Sequence, residues 1–171
     1  MNLATKFRLK RFANVKGIGT DLVHVQRFRK LLDKYPTSGN KSTLNKIIAK
    51  FMHPYEIDRL EALIQTETSQ EPIIRYVAGV WATKEAIFKS LRCNSFPASE
   101  FPPAQFIFTK ICYKTNEVDG RPKIGIDCSQ LGVWKQFSEH LITNSKFLVS
   151  LSHDADYLIS FVCHIKDEIM E

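Results

Sequence analysis

Arg75 to Leu91, RYVAGVWATKEAIFKSL, has no Gly or Pro after Gly79 and reads as one helix with two unlike faces. At about 100° per residue, Ala78, Ala82, Glu85 and Lys89 share one stripe, while Val77, Val80, Ile87, Phe88 and Leu91 form a broad apolar side. Glu85 therefore stands one turn from the Lys89 ammonium, beside alanines that let another surface come close. In most helices such an i,i+4 pair is a solvated ion pair contributing about 0.3–0.5 kcal/mol. Lys84 sets this helix apart, because it projects from the middle of the apolar side, where a charge costs free energy unless it reaches water or an anion. One acid and two lysines among small and apolar neighbours make a candidate site for a metal and a phosphate. Such a site needs a second carboxylate.

The chain has 171 residues, 44% of them hydrophobic and 11% aromatic, which suits one domain with an ample core. Its longest apolar runs, such as Phe147 to Leu151, stop far short of the roughly 18–20 residues needed to cross a bilayer, so no membrane association is expected. Cys93, Cys112, Cys128 and Cys163 are scattered without a CxxC pair, which fits a reducing compartment. A net charge of +6 and a pI of about 9.2 imply an acidic partner: a nucleic acid, an anionic cofactor or an acidic protein. Met1 to Thr20 carries Lys6, Arg8, Lys10, Arg11 and Lys16 and no acid. That composition suits a mitochondrial presequence or a basic arm that touches a partner, so residues 1–14 are set apart as an arm or targeting segment and residues 15–171 as the domain.

Val15 to Val23, VKGIGTDLV, reads as a strand in which Gly17 and Gly19 allow close backbone approach or a bend. Asp21 within it is either a functional carboxylate or a cap for the helix that follows at Val25 to Lys34. Turn residues fill Tyr35 to Ser42, Leu44 to Phe51 and Pro54 to Ile64 read as helices, and Gln65 to Glu71 as a polar linker. Ala104 to Tyr113 and Pro122 to Asp127 read as strands joined through an Asp119-Gly120 hairpin turn. Gln130 to Leu141 reads as helical, and Phe147 to Ser152 and Tyr157 to Ile165 as an antiparallel pair turning through His153 to Asp156. The order predicts an α+β fold, an antiparallel sheet packed on a long central helix.

Four short motifs stand in line: GIGTD ending at Asp21, WATKEAIFK from Trp81 to Lys89, Gly120-Arg121-Pro122, and SLSHDADY from Ser150 to Tyr157. Each alone is weak. In this order and spacing they resemble the 4′-phosphopantetheinyl transferases, most closely the short holo-acyl-carrier-protein synthase type. The resemblance implies that family's fold and the transfer of the 4′-phosphopantetheine arm of coenzyme A to a serine of an acyl carrier protein, a step of lipid and fatty-acid metabolism that leaves adenosine 3′,5′-bisphosphate. It implies Mg²⁺ held by Asp21 and Glu85, with Lys89 on the phosphates and the leaving group, and Lys84 among the coenzyme-binding residues. The serine proton would pass to Glu85 or to a water on the metal. Gly120, Arg121, Pro122, Ser152 and His153 would hold the nucleotide end, supplied by a neighbouring subunit of a homotrimer. Arg27 falls where the family engages the acidic helix of the carrier. Arg27 could otherwise be a solvated helix charge, and His153 a structural turn residue.

The sequence departs from the family pattern in three places. Val80 replaces an arginine, Arg92-Cys93-Asn94 replaces a glycine-rich turn, leaving Arg92 to supply the missing charge, and Tyr35 to Ser42 is an insertion near the carrier-binding surface. Two other functions compete. A small basic RNA- or ribosome-associated mitochondrial protein would account for the charge, but the basic residues are spread rather than gathered with aromatics on one face, so no nucleic-acid partner is expected. An inactive structural relative would not need to retain Asp21, Glu85, Lys89 and His153 together. The expected location is the mitochondrial matrix, with the cytoplasm as the alternative.

Overall fold

In the computed structural model, which describes residues 14–37, 42–93 and 95–167, strand β1 (Val15–His24) lies along a 23-residue helix (Gln70–Arg92). The basic arm expected over residues 1–14 lies, apart from Asn14, outside the described residues. Between β1 and the long helix come α1 (Gln26–Lys34), α2 (Ser42–Ile48) and α3 (Pro54–Thr66), so the long helix is α4. The strands that follow are β2 (Cys112–Asn116), β3 (Pro122–Ile126), β4 (Ser145–Asp154) and β5 (Tyr157–Lys166).

α4 starts before Arg75 because the Ser69 hydroxyl accepts the Glu71 N–H and because Pro72 falls in the first turn, where its missing donor costs nothing. α3 opens on His53, whose ring accepts from Tyr55 N while the Glu56 carboxylate accepts from the His53 main-chain N–H, a reciprocal cap. All strand pairings are antiparallel, in a three-stranded sheet of order β1-β5-β4 and a separate β2-β3 hairpin. The core fills the space between α4 and the inner sheet face, where Val23, Leu158 and Val162 meet Val77, Ala78, Ala82 and Ala86. The opposite face of the sheet carries Ile18, Leu22, Leu148, Ile159 and Phe161, all exposed.

β1 and α4 meet main chain to main chain. A Cβ on Gly19 would lie 1.9 Å from the Ala86 carbonyl oxygen, and one on Gly17 1.9 Å from that of Ser90. Of the two roles open to these glycines, close approach is the one the fold uses.

Two expectations need correction. Ala104 to Tyr113 is not a strand: Ala104–Phe106 and Ile107–Ile111 are helical turns, and β2 begins only at Cys112. Ile107, Phe108 and Ile111 are buried at a helical spacing behind the Pro103 cap, and tertiary packing of that stripe overrides the strand-like composition. Gln130 to Leu141 is helical as expected, in contiguous turns of changing pitch, Leu131–Trp134, Lys135–Phe137 and Ser138–Ile142, which bury Leu131, Phe137, Leu141 and Ile142. His153 stands at the end of β4 rather than in the turn, which Ala155 makes with φ of 46°. That turn is fastened to the start of α1, because Val25 N donates to Asp156 O at 2.7 Å and Gln26 Nε2 to Asp156 Oδ1 at 2.9 Å.

His164 on β5 is fully buried and stacked on Phe147, ring centroids 4.5 Å apart at 8°. Burial, and secondarily the Lys16 charge, pull its pKa down to about 4, and the Leu141 backbone offsets this little because neither ring nitrogen reaches good hydrogen-bond geometry. The unfolded chain therefore takes up this proton first, and the domain should lose stability as pH falls from about 6.5 toward 4. Urea unfolding from pH 7.5 to 4.5 should show this loss, and His164→Phe should flatten the slope. An equal slope in the variant would assign the acid sensitivity to other groups.

Candidate active site

At the β1–α4 contact three predicted residues come together. Lys89 Nζ lies 2.8 Å from Asp21 Oδ1 and 2.9 Å from the Thr20 carbonyl oxygen. The Asp21 side chain is 15% exposed and that of Lys89 47%, so the acid is held in the wall while the ammonium stays half in water. Asp21 is fixed by its register opposite Ser160 on β5, and the neighbouring Thr20 hydroxyl donates to Ser160 O at 3.0 Å. Glu85, one turn before Lys89, is half-buried. Burial and then the nearby Asp21 charge push its carboxyl above the usual carboxylate range, and Lys89 pulls less strongly the other way. A carboxylate whose ionisation is opposed by a second one beside it is suited to a hard divalent cation. Mg²⁺ needs only one or two such oxygens beside waters and phosphates, so Asp21 and Glu85 fit it as a pair. Among the described residues no group of three or more His, Cys, Asp and Glu side chains could hold a metal.

Lys84 does not belong to this site. It is fully buried, and its three ammonium donors go to Glu56 Oε2 at 2.8 Å, to Phe108 O at 2.6 Å and to Cys112 O. The anion it needed is Glu56, also fully buried, whose carboxylate further accepts from His53 N and Lys114 N. Nothing remains to bind a phosphate, so the expected coenzyme contact gives way to a bolt joining α3, α4 and the start of β2. The sequence reading missed Glu56; the clue lay in its place three residues after a helix cap, facing a helix with an unmatched lysine.

The other predicted residues lie elsewhere. His153 pairs across the sheet with Leu158, itself opposite Val23, so it sits on the inner face two strands from β1, and the cleft it lines includes none of Asp21, Glu85 and Lys89. Ser152, opposite Ile159, stands on the exposed face. Gly120 takes φ of 86° in the β2–β3 turn, and Arg121 is tethered to Asp119, Nε to Oδ2 at 2.6 Å. Arg121 and Pro122 line a groove between β3 and β4. Arg27 is exposed on α1 at the rim of an apolar cavity of ≈ 430 Å³ whose lining includes Leu31, Phe51, Trp81 and Phe108. Arg29 instead pairs with Glu71, tying α1 to the first turn of α4. Val80 is fully buried, and the Arg92 guanidinium lies 4.9 Å from the Phe101 ring centre, engaged there rather than turned to the acid pair.

Residues 17–162 match the 4′-phosphopantetheinyl transferase superfamily. The chain is 38% identical over 156 residues to the mitochondrial holo-acyl-carrier-protein synthase of Eremothecium gossypii, covering 90% of this chain and 81% of that one. Among solved structures it resembles the holo-ACP-synthase of Plasmodium yoelii, with a TM-score of 0.60 and 24% identity over 90% of this chain and 97% of that one. It also resembles the synthase of the Chronobacterium ammoniagenes ACPS-CoA complex, with a TM-score of 0.59 and 21% identity over 89% and 98% of the two chains. These structural likenesses concern the fold. The sequence matches settle descent: the chain belongs to the 4′-phosphopantetheinyl transferase superfamily.

The buried pair yields a stability prediction. Lys84→Met strands the Glu56 charge and should cost about 3–5 kcal/mol, whereas Glu56→Gln with Lys84→Met should recover more than half of that loss. Denaturant midpoints for the two variants measure this, and a double variant no more stable than Lys84→Met would refute the pairing as the cause.

Proposed function

We propose that this protein is a holo-acyl-carrier-protein synthase, moving 4′-phosphopantetheine from coenzyme A to a serine hydroxyl of an apo acyl carrier protein. The observation that carries this reading is the meeting of Asp21, Glu85 and Lys89 at the β1–α4 contact in a chain of this superfamily. The Chronobacterium ammoniagenes relative is a complex with coenzyme A, which supports that substrate.

Asp21 and Glu85 would hold Mg²⁺, which when bound supplies positive charge to the pyrophosphate. Glu85 accepts the proton of the attacking serine. The serine oxygen bonds to the phosphorus that bears the pantetheine arm, the bond from that phosphorus to the bridging oxygen breaks, and adenosine 3′,5′-bisphosphate departs. Lys89 can leave Asp21 at little desolvation cost because its head is half in water, and it meets the charge growing on the departing phosphate. Gly120, Arg121, Pro122, Ser152 and His153 hold the nucleotide end from a neighbouring copy in a homotrimer. The exposed apolar face of Ile18, Leu22, Leu148, Ile159 and Phe161 supports that assembly, as does the separation of these residues from the acid pair within one chain. Arg27, beside an apolar cavity, suits an acidic amphipathic helix on the carrier.

Incubating apo acyl carrier protein with this protein, coenzyme A and Mg²⁺ should add the phosphopantetheine mass to the carrier; no mass gain would reject the function. Glu85→Gln and Asp21→Asn should each lower turnover by about 10²-fold or more with unchanged melting, and Lys89→Ala should lower kcat more than it raises the coenzyme A KM. Arg27→Glu should raise the carrier KM about tenfold and leave the coenzyme A KM alone, and a carrier KM that keeps its full salt dependence would return Arg27 to an ordinary solvated charge.

The Eremothecium gossypii relative is named mitochondrial, and with the acid-free basic start this supports location in the mitochondrial matrix. Tagged full-length protein should colocalise with a matrix marker, and a chain starting at Asn14 should stay in the cytosol. Import of the shortened chain would count against a targeting role for the arm.

A further inference from the structure

Ser160 of β5 is fully buried, and its hydroxyl has no hydrogen-bond partner among the described residues. An unpaired buried hydroxyl costs free energy, which is why most buried polar side chains are paired. Ser160 lies on the inner face of the sheet, between Leu158 and Val162 along β5 and between Asp21 of β1 and Leu151 of β4 across it. Gly79 of α4 faces Leu158, and the Ala86 carbonyl lies over Gly19, the partner of Val162. Ala82, midway between Gly79 and Ala86 on the same side of α4, therefore comes over Ser160 with a methyl that accepts no hydrogen bond. The Leu151 side chain accepts none either. Across the other edge stands Asp21, whose Cβ, as in any directly opposed antiparallel pair, is about 4.5–5.5 Å from that of Ser160. That spacing puts a carboxylate oxygen within reach of the hydroxyl once either side chain turns. In the present arrangement Lys89 Nζ, 2.8 Å from Oδ1, holds the carboxylate instead.

We propose that Ser160 is a positioning residue for Asp21: when Lys89 turns from Asp21 to the coenzyme phosphates, the Ser160 hydroxyl donates to the carboxylate oxygen that Lys89 releases. The inference rests on the transferase reading, in which Lys89 and Asp21 part, and it adds a residue that lies outside all four motifs. Departure of the ammonium takes a charged donor from a carboxylate only 15% exposed. A neutral hydroxyl replaces that donor without adding a second positive charge where Mg²⁺ would sit. With one oxygen held by Ser160, the carboxylate keeps its direction and its other oxygen stays available to the ion. Partners of this kind behind a metal ligand typically change metal affinity about 10- to 100-fold. The hydroxyl keeps its proton throughout.

Two measurements on the full chain test this, and the first needs no metal. Ser160→Ala should raise the urea midpoint of the native chain, because it removes an unpaired buried hydroxyl, yet lower the midpoint of Lys89→Met, where Asp21 is free to take that hydroxyl. In the second, calorimetry with adenosine 3′,5′-bisphosphate present should show Mg²⁺ binding to Ser160→Ala about tenfold more weakly than to the native chain. A variant that is more stable and yet binds the ion less tightly separates positioning from folding. If the native chain binds no Mg²⁺ or modifies no carrier, the transferase reading fails, and the change of sign in metal-free urea still decides for or against the bond. A midpoint shifted in the same direction in both backgrounds, or an Mg²⁺ affinity within about twofold of the native one, would overturn the assignment.

Discussion

The contact between the main chain of β1 and the carbonyls of Ala86 and Ser90 on α4 fixes the rest of the arrangement. Side chains at positions 17 and 19 would put carbon atoms 1.9 Å from carbonyl oxygens that cannot move without breaking the helix, so the strand would have to lift away. With glycines it lies flat. Asp21, two residues beyond Gly19 on the same inward face, is thereby delivered beside a helix turn that offers Glu85 and Lys89. β1 in turn sets the sheet, since its pairing with β5 fixes Ser160 opposite Asp21 and turns Ile18 and Leu22 outward. A displacement of about 1 Å at catalytic groups can cost some 10²-fold in rate, so under the proposed function this steric constraint would be chemical as well as structural.

The same helix carries two lysine–carboxylate pairs with opposite fates, and burial decides between them. Lys84 and Glu56 are sealed from water, so each needs the other and every donor of the ammonium is consumed. Lys89 and Asp21 meet at the surface, where an ion pair is weak and exchangeable. A group that must release one anion and engage another belongs in the second setting. Lys84, adjacent in sequence to Glu85, thus contributes to the site only by holding the turn on which Glu85 stands.

Much of this was readable from the residues because it is local or periodic. The apolar side of α4, the β2–β3 turn and the final antiparallel pair follow from spacing alone, while the glycines of β1 left close approach and a bend both open. Short apolar runs are different. Ala104 to Ile111 has the composition of a strand, and only packing of Ile107, Phe108 and Ile111 into one core makes it helical. The destination of Lys84 was equally hidden, since the need for an anion is local while the identity of that anion depends on where α3 packs. The pairing of Asp21 with Glu85 was available only through the family resemblance, because nothing in the period of β1 or α4 says that the two elements touch.

The division of the proposed site follows from the size of the domain. One face of α4 must be covered by β1 to present the acid pair, while the other end of the helix, near Gly79, forms the wall of the cationic cleft that Arg59, Lys114 and His153 line. A single chain therefore keeps the acid pair and the cationic cleft apart. In the proposed trimer, the exposed face of Ile18, Leu22, Leu148, Ile159 and Phe161 would be the surface that joins one copy to the next. In such an assembly, association buries the apolar face and completes the reactive centre in the same step. Stability and activity would then be linked by mass action, because dissociation would expose apolar surface and take the proposed reactive centre apart.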